Sequence, residues 1–303
     1  MLLNKKIPFR YIFHDIRRDI VRVLLISVLF QLVQHFYLRF LPAIPLQLAA
    51  VLGSAISLLL AFILSQSYDR WWEARKVWGA IVNDSRTLVL QVLGFVPDDV
   101  LRAGEPDSPL RAVAYRQIAW CYSLGQSLRG LDPLHTLDQF LSARELAYVR
   151  QHTNKPLALV GLHTAQIKSL HEEQALDGWA RAQLDATLVR LVDAMGRAER
   201  IKSTVFPVTY RQLVHFFVYL FVIVLSLSLV ETIGWWEPPV LLVIACSFLL
   251  LERTACYLQD PFSNKPTDTP VTAIARTVEI NLKQLLAEAN VPAPAQAEAY
   301  YLL

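Results

Sequence analysis

From Leu46 to Leu64 the chain carries only three polar side chains, Gln47, Ser54 and Ser57, and none of them is charged. A bilayer-spanning helix needs about 20 predominantly apolar residues, so this run predicts a membrane helix over 46–66. It passes straight into an aromatic, charge-dense segment, 67–86, that begins Ser67-Tyr-Asp-Arg-Trp-Trp-Glu-Ala-Arg-Lys-Val-Trp-Gly79. A second clear run, Leu213–Val230, is interrupted only by His215, Ser226 and Ser228, and predicts a span over 211–230. Val21–Leu41 is weaker, because it contains Arg22, Gln31, Gln34, His35 and Arg39. Lipid offers such groups no partners, so they must face protein or the interface. Pro238–Leu251 is short; it makes a span, 237–258, only if it continues through Glu252 and Arg253 with both charges against other helices.

The basic residues orient these spans. Lys5, Lys6, Arg10, Arg17, Arg18 and Arg22 lie at or before the start of the first, whereas the hairpins 42–45 and 231–237 contain no Lys or Arg. By the positive-inside rule both hairpins point outward and both termini lie in the cytoplasm. Trp235 and Trp236 fit an outer aromatic belt. A cleaved signal peptide is disfavoured, since Phe36-Tyr-Leu-Arg-Phe40 stands where small residues would be needed. Residues 1–20 then form a cytosolic segment, 83–206 a helical cytosolic region, and 259–303 a cytosolic loop and helix. Within 83–206 apolar residues recur at spacings of three and four over Leu110–Leu128, Asp138–Gln151, Leu157–Leu170 and Leu176–Ile201, with breaks such as Gly130-Leu-Asp-Pro133. A further helix is expected over Val271–Ala289.

Composition agrees with a protein part bilayer and part aqueous: 54% hydrophobic yet 18% charged, with mean hydropathy +0.35. A net charge of +3 without a dense basic block excludes a nucleic-acid partner as a leading idea. Cys121, Cys246 and Cys256 have no metal-like spacing and read as structural thiols. Enzyme motifs are lacking, including a phosphate loop, a Gly-x-Ser-x-Gly elbow and His-Glu-x-x-His, so no catalytic residue is assigned. His163 and His171, beside Glu172, read as a solvated helix face rather than a metal site, and His215 as a packing residue.

The polarity of the second span is periodic. Ser54, Leu58, Phe62 and Gln66 recur every four residues and share a face, beside the small Gly53, Ala55 and Ser57. Two readings stand: a helix packed in a bundle through a small-residue face, or a pore helix whose copies present narrow uncharged rings. The segment 67–86 also has two. It can anchor at the headgroups, or it can fasten this helix to its neighbours through Arg–Trp contacts and Arg–carboxylate pairs.

The run Ser67–Gly79, followed by Asn83 and Ser85-Arg86, closely resembles the signature of bacterial members of the bestrophin family of ion channels. Arg116-Gln-Ile-Ala-Trp120, Glu199-Arg-Ile-Lys-Ser-Thr204 with Pro207 and Tyr210, and Asp260-Pro-Phe262 follow in the expected order. The resemblance implies an all-α membrane protein with four spans per subunit, assembled as a homopentamer around one axial pore in the bacterial inner membrane. It implies that Tyr68, Asp69, Arg70, Trp71, Trp72, Glu73, Arg75, Trp78, Asp260, Pro261 and Phe262 are structural signature residues.

The family's neck positions fall on Ser54, Leu58 and Phe62, where Ser54 departs from the usual bulky apolar residue. A second, cytosolic constriction is expected at Ala182 or Leu184. Animal bestrophins bind calcium through acids after the Pro-Phe motif. Here Ser263-Asn-Lys-Pro-Thr-Asp268 holds one acid, against the six to eight oxygens calcium takes, so no calcium activation and no cofactor is expected. The permeant species would be small monovalent ions, chloride by family expectation or sodium as in some bacterial members. The bilayer and the other subunits are the only partners expected. A non-conducting, membrane-anchored scaffold for a cytosolic protein is the alternative, which oligomeric state would separate.

Overall fold

The computed structural model describes residues 9–37, 44–101, 108–204, 207–297 and 301–302. The last residues of the first expected span, 38–41, the hairpin residues 42 and 43, and Lys5 and Lys6 lie outside that set. Among the described residues every regular element is helical: α1 (Phe9–Tyr37), α2 (Leu46–Phe95), α3 (Asp98–Leu101), α4 (Pro109–Leu128), α5 (Ala143–Gln151), α6 (Lys155–Glu172), α7 (Gly178–Ser203), α8 (Val208–Ile233), α9 (Glu237–Gln259) and α10 (Val271–Leu285). Among the described residues three stretches are long and apolar enough to cross a membrane, Phe13–Phe36, Leu46–Phe95 and Val208–Gln259. The third is divided into α8 and α9 by a single 3-10 turn, Gly234–Trp236.

Two compact units result, one drawn from Asn4–Trp71 and Val205–Asp260, the other from Trp72–Thr204 and Pro261–Leu303. In the first, α1, α8 and α9 pack on one another, with Val23, Ile56, Leu60, Ile63, Val218, Phe221 and Leu241 in its core. In the second, α4 packs against α6, α7 and α10, around Trp78, Trp120, Ile81 and Phe262, all wholly buried. Helix α2 belongs to both. Its 50 residues extend about 75 Å at 1.5 Å per residue, far more than one crossing of the ~30 Å hydrocarbon core needs.

Helices α4, α5, α6 and α7 of the second unit begin where side chains take up orphan backbone N–H groups. Ser108 Oγ accepts from Arg111 N at 3.0 Å, with Pro109 in the first turn. Ser142 and Glu145 form a reciprocal capping box at α5. Asn154 caps α6 through Leu157 N at 3.0 Å, and Asp177 caps α7 through Ala180 N at 2.6 Å.

Candidate functional site

On α2 the two faces of the membrane part differ sharply. Ala49, Ile56, Leu60, Ile63 and Ser67 are buried, and Gly53 lies so close to α8 that a Cβ there would stand 3.0 Å from Phe221 Cε2. The opposite face is bare: Leu58 is 74% exposed and Phe62 56%, with Ser54, Ala55, Ser57, Ala61, Ser65 and Gln66 also exposed. Of the three small residues read from the sequence, Gly53 is buried against α8, whereas Ala55 and Ser57 are exposed. The Ser54 and Ser57 hydroxyls donate to Ala50 O at 2.9 Å and Gly53 O at 2.8 Å within α2. That satisfies each hydroxyl proton and leaves oxygen lone pairs facing outward. The exposed face of α1 is bulky throughout, with Leu25, Val28, Leu29, Leu32 and Phe36, whereas that of α2 mixes Leu48, Val51, Leu58 and Phe62 with the small residues.

The signature segment is divided between core and surface. Ala74, Val77, Trp78 and Ile81 are buried at 1% exposure or less, so the motif supplies much of the second unit's centre. Tyr68 and Trp72 are exposed, and Asp69 is exposed as well. Tyr68 and Trp71 lie with ring centroids 6.0 Å apart. Glu73 pairs with Lys76 along the helix at 2.6 Å, while Arg75 is half-buried. Arg70 feels the carboxylate of Asp260, the C-cap of α9. Farther along, Asp84 accepts from Arg190 Nε of α7 at 2.8 Å. Arg86 donates twice to Asn281 Oδ1 of α10, at 3.0 and 2.6 Å. Ser85 Oγ accepts from Gln117 Nε2 of α4 at 2.8 Å. From Asp84 to Arg86 the segment therefore ties α2 to three other helices, which is the work of a fastener rather than a headgroup anchor.

Polar side chains also join the helices of the first unit. Glu252 is buried and meets His215 Nδ1 of α8 at 2.9 Å, while Arg253 Nη2 reaches Asp19 Oδ2 of α1 at 3.0 Å. Both charges of α9 thus face neighbouring helices, the condition under which this segment runs its full length. Glu237 is wholly buried and accepts from Ser226 Oγ at 2.6 Å and from Ser27 Oγ, linking α9 to α8 and α1. Lone charges in an apolar medium are costly, so each carboxylate brings its own donors.

The two residues expected at a cytosolic constriction part company. Ala182 is exposed on α7. Leu184 is 0% exposed, packed inside the core of the second unit, and a side chain enclosed by its own subunit has no surface to offer an ion path. Val189, 67% exposed and two turns beyond Ala182, continues the exposed strip of α7. It was overlooked in the sequence because it sits among core positions at similar spacing.

The histidine pair on α6 is not a solvated face. His163 is 1% exposed, and burial, reinforced by the nearby Arg116 cation, pushes its imidazole well below the ordinary value. His171 Nδ1 lies 2.8 Å from Leu176 O. No group of three or more potential metal ligands occurs among the described residues. Arg116 donates through Nε and Nη2 to Glu145 Oε1 at 3.0 and 2.6 Å, and through Nη1 to Gln166 Oε1 at 2.6 Å. Burial alone would raise the Glu145 carboxyl; Arg116 and Ser142 outweigh it and hold the group below the usual carboxylate range. Cys121 is buried, its thiol pushed up to about 12 by desolvation against a weak Ser85 contact, and is inert.

After α9, Phe262 is wholly buried, its carbonyl accepting from Lys202 Nζ at 3.2 Å, and Pro261 O accepts from Thr269 N at 3.1 Å. The single acid of the following loop, Asp268, is buried. Its Oδ1 accepts from Ser263 Oγ at 3.2 Å and its Oδ2 from Lys265 N at 3.1 Å.

Comparison with known proteins places this arrangement. The family described as "Bacterial/Fungal Bestrophin protein" matches residues 9–284. The voltage-dependent anion channel-forming protein RSc3414 of Ralstonia nicotianae is 30% identical over 84% of this chain and 81% of its own length. The voltage-dependent anion channel-forming protein YneE of Escherichia coli K12 is 30% identical over 84% of this chain and 81% of its own. The crystal structure of a bacterial bestrophin homologue from Klebsiella pneumoniae superimposes with a TM-score of 0.83 at 27% identity, covering 91% of this chain and 100% of that one.

Proposed function

Because this chain belongs to the bacterial and fungal bestrophin family, we propose that it is one subunit of a passive channel that conducts small monovalent anions across the bacterial inner membrane. Five copies surround one axis, each contributing four spans, α1, the first part of α2, α8 and α9, with both termini in the cytoplasm. The observation that carries this reading is the bare face of α2. Lipid-facing helix surfaces favour bulky aliphatic side chains, as on α1, whereas Ser54, Ala55, Ser57, Ala61 and Ser65 suit close approach of like helices around an axis. The names of the Ralstonia and Escherichia relatives support an anion as the permeant ion.

In this assembly Ser54, Leu58 and Phe62 form successive rings of the neck. Ser54 supplies a hydroxyl at its outer end; Leu58 and Phe62 make an apolar constriction that ions pass by shedding part of their hydration. Ala182 and Val189 of α7 line the cytosolic part of the path. With Asp268 engaged by its own loop, opening needs no calcium. Beyond the membrane part of α2, the end of the signature segment, Asp84 to Arg86, fastens this helix to α4, α7 and α10.

Single-channel recording of the purified full-length protein in planar bilayers tests the reading, with native mass measurement of the assembly. Chloride conductance from a pentamer is expected, together with larger unitary currents in Leu58→Ala and Phe62→Ala. A monomer or dimer, or currents unmoved by both substitutions, would sink the neck assignment.

A further inference from the structure

A cationic cleft in the first unit is unused by the conduction path. About 360 Å³ in volume, it is lined by His14, Asp15, Arg17, Arg18, Asp19, Arg22 and Arg253. Four arginines face two aspartates there, and the aspartates are already engaged. Asp19, whose side chain is 1% exposed, holds Arg22 at 3.0 Å and Arg253 at 3.0 Å, and it accepts from Tyr219 OH at 2.8 Å. Asp15 accepts from Tyr257 OH and has His14 Nδ1 at 3.9 Å. Among the described residues, no acidic group pairs with Arg17 or Arg18, both exposed. Arg17, Arg18 and Arg22 also line an open, shallow groove together with the exposed Val21.

We infer that this cleft binds the phosphate of an anionic phospholipid of the inner leaflet. Three features converge on that ligand. The cleft has a net positive charge with its own carboxylates satisfied, so an added anion meets donors rather than repulsion. Guanidinium groups bind phosphate oxygens through paired N–H donors. The cleft sits where α1 starts its apolar run at Val21, the depth of the headgroups, and the Val21 groove beside it accommodates the start of an acyl chain. Arginine stems lying along that groove would cover apolar surface while their heads reach phosphate. A lipid there would bridge α1 and α9, adding to the Asp19–Arg253 tie. The inner-leaflet assignment rests on the cytoplasmic placement of the amino terminus proposed above.

Native mass spectrometry of the full-length protein in micelles, titrated with phosphatidylglycerol or phosphatidylcholine, tests the site. Phosphatidylglycerol should bind in preference to phosphatidylcholine. Replacing both free arginines, Arg17→Gln with Arg18→Gln, should weaken it about 30-fold, since each basic residue near a membrane surface contributes about a fivefold factor. Arg144→Gln with Arg150→Gln, an equal charge change on α5, should leave binding within about twofold. Equal affinity for the two lipids, or an unaltered affinity in the Arg17/Arg18 variant, overturns the site. Full displacement of the lipid by millimolar inorganic phosphate also overturns it, by reassigning the cleft to a soluble anion. Protease access to the amino terminus in inside-out vesicles reads the topology separately. Cleavage in right-side-out but not in inside-out vesicles would overturn the inner-leaflet assignment, whereas lipid selectivity in micelles reads the cleft whichever way the chain is inserted.

Discussion

His163 lies wholly inside the second unit with neither ring nitrogen hydrogen-bonded among the described residues. Its imidazole is held neutral by burial first and by Arg116 second. Because the folded value is lowered, the group contributes stability fully above the unfolded value of about 6.5. As the pH falls below that, the unfolded chain takes a proton that the folded chain refuses. Each pH unit then removes at most about 1.4 kcal/mol. His163→Leu should be close to neutral at pH 8, where it replaces unpaired polar atoms by apolar ones. At pH 5 it should be more stable than wild type by about 2 kcal/mol, measured by denaturant unfolding in micelles at both pH values. The sequence did contain the needed signal. Leu159, His163, Ile167 and Leu170 fall at helical spacing on one stripe, and His171, eight residues from His163, is turned about 80° away from it. Reading the two histidines as a pair hid the stripe.

Helices were legible in the periodicity of the chain, but their ends depended on partners distant in sequence. For α9 the sequence predicts a span over 237–258 only on condition that Glu252 and Arg253 face other helices; His215 and Asp19, on α8 and α1, meet that condition and the helix continues to Gln259. Helix α1 starts at Phe9, ahead of the apolar run, because Ile16, Asp19 and Val23 form a buried stripe through the basic residues. The contact of α2 with α8 gives a prediction at this scale. A methyl at Gly53 would meet Phe221 at 3.0 Å, and that ring is itself backed by Phe248, with centroids 5.0 Å apart. Gly53→Ala should therefore destabilise by about 1–2 kcal/mol, despite the higher helix propensity of alanine. With Phe221→Leu in the background the clash is relieved, and the same change should stabilise by about 0.5–1 kcal/mol. Thermal inactivation of the four proteins in micelles completes this cycle.

A period of four picked out Ser54, Leu58 and Phe62 as one face, yet a single chain does not say whether a bare face meets lipid or ions. The axis is made by other copies, and that limit, rather than any weakness of pattern, kept both readings of α2 open. Leu184 was ambiguous for a different reason, because its apolar character suits a constriction and a core equally, and it lies in the core of its own chain. At the scale of the assembly the proposed function makes two further predictions. Currents should be unchanged between strong calcium chelation and millimolar calcium, because Asp268 is committed to Ser263 and Lys265; activation by calcium would remove this part of the reading. Selectivity among anions should follow dehydration. A neck without charged side chains gives no compensating attraction for the hydration an ion loses, and that loss is smaller for larger ions. Under bi-ionic conditions thiocyanate and iodide should permeate more readily than chloride, and chloride more readily than fluoride. In Leu58→Ala and Phe62→Ala the ratios should move toward one, because a wider ring lets ions keep more water. A reversal potential in a sodium chloride gradient that follows sodium would reject the anion assignment. An order with fluoride favoured over iodide would place the selective step at a strong cationic site, outside this neck.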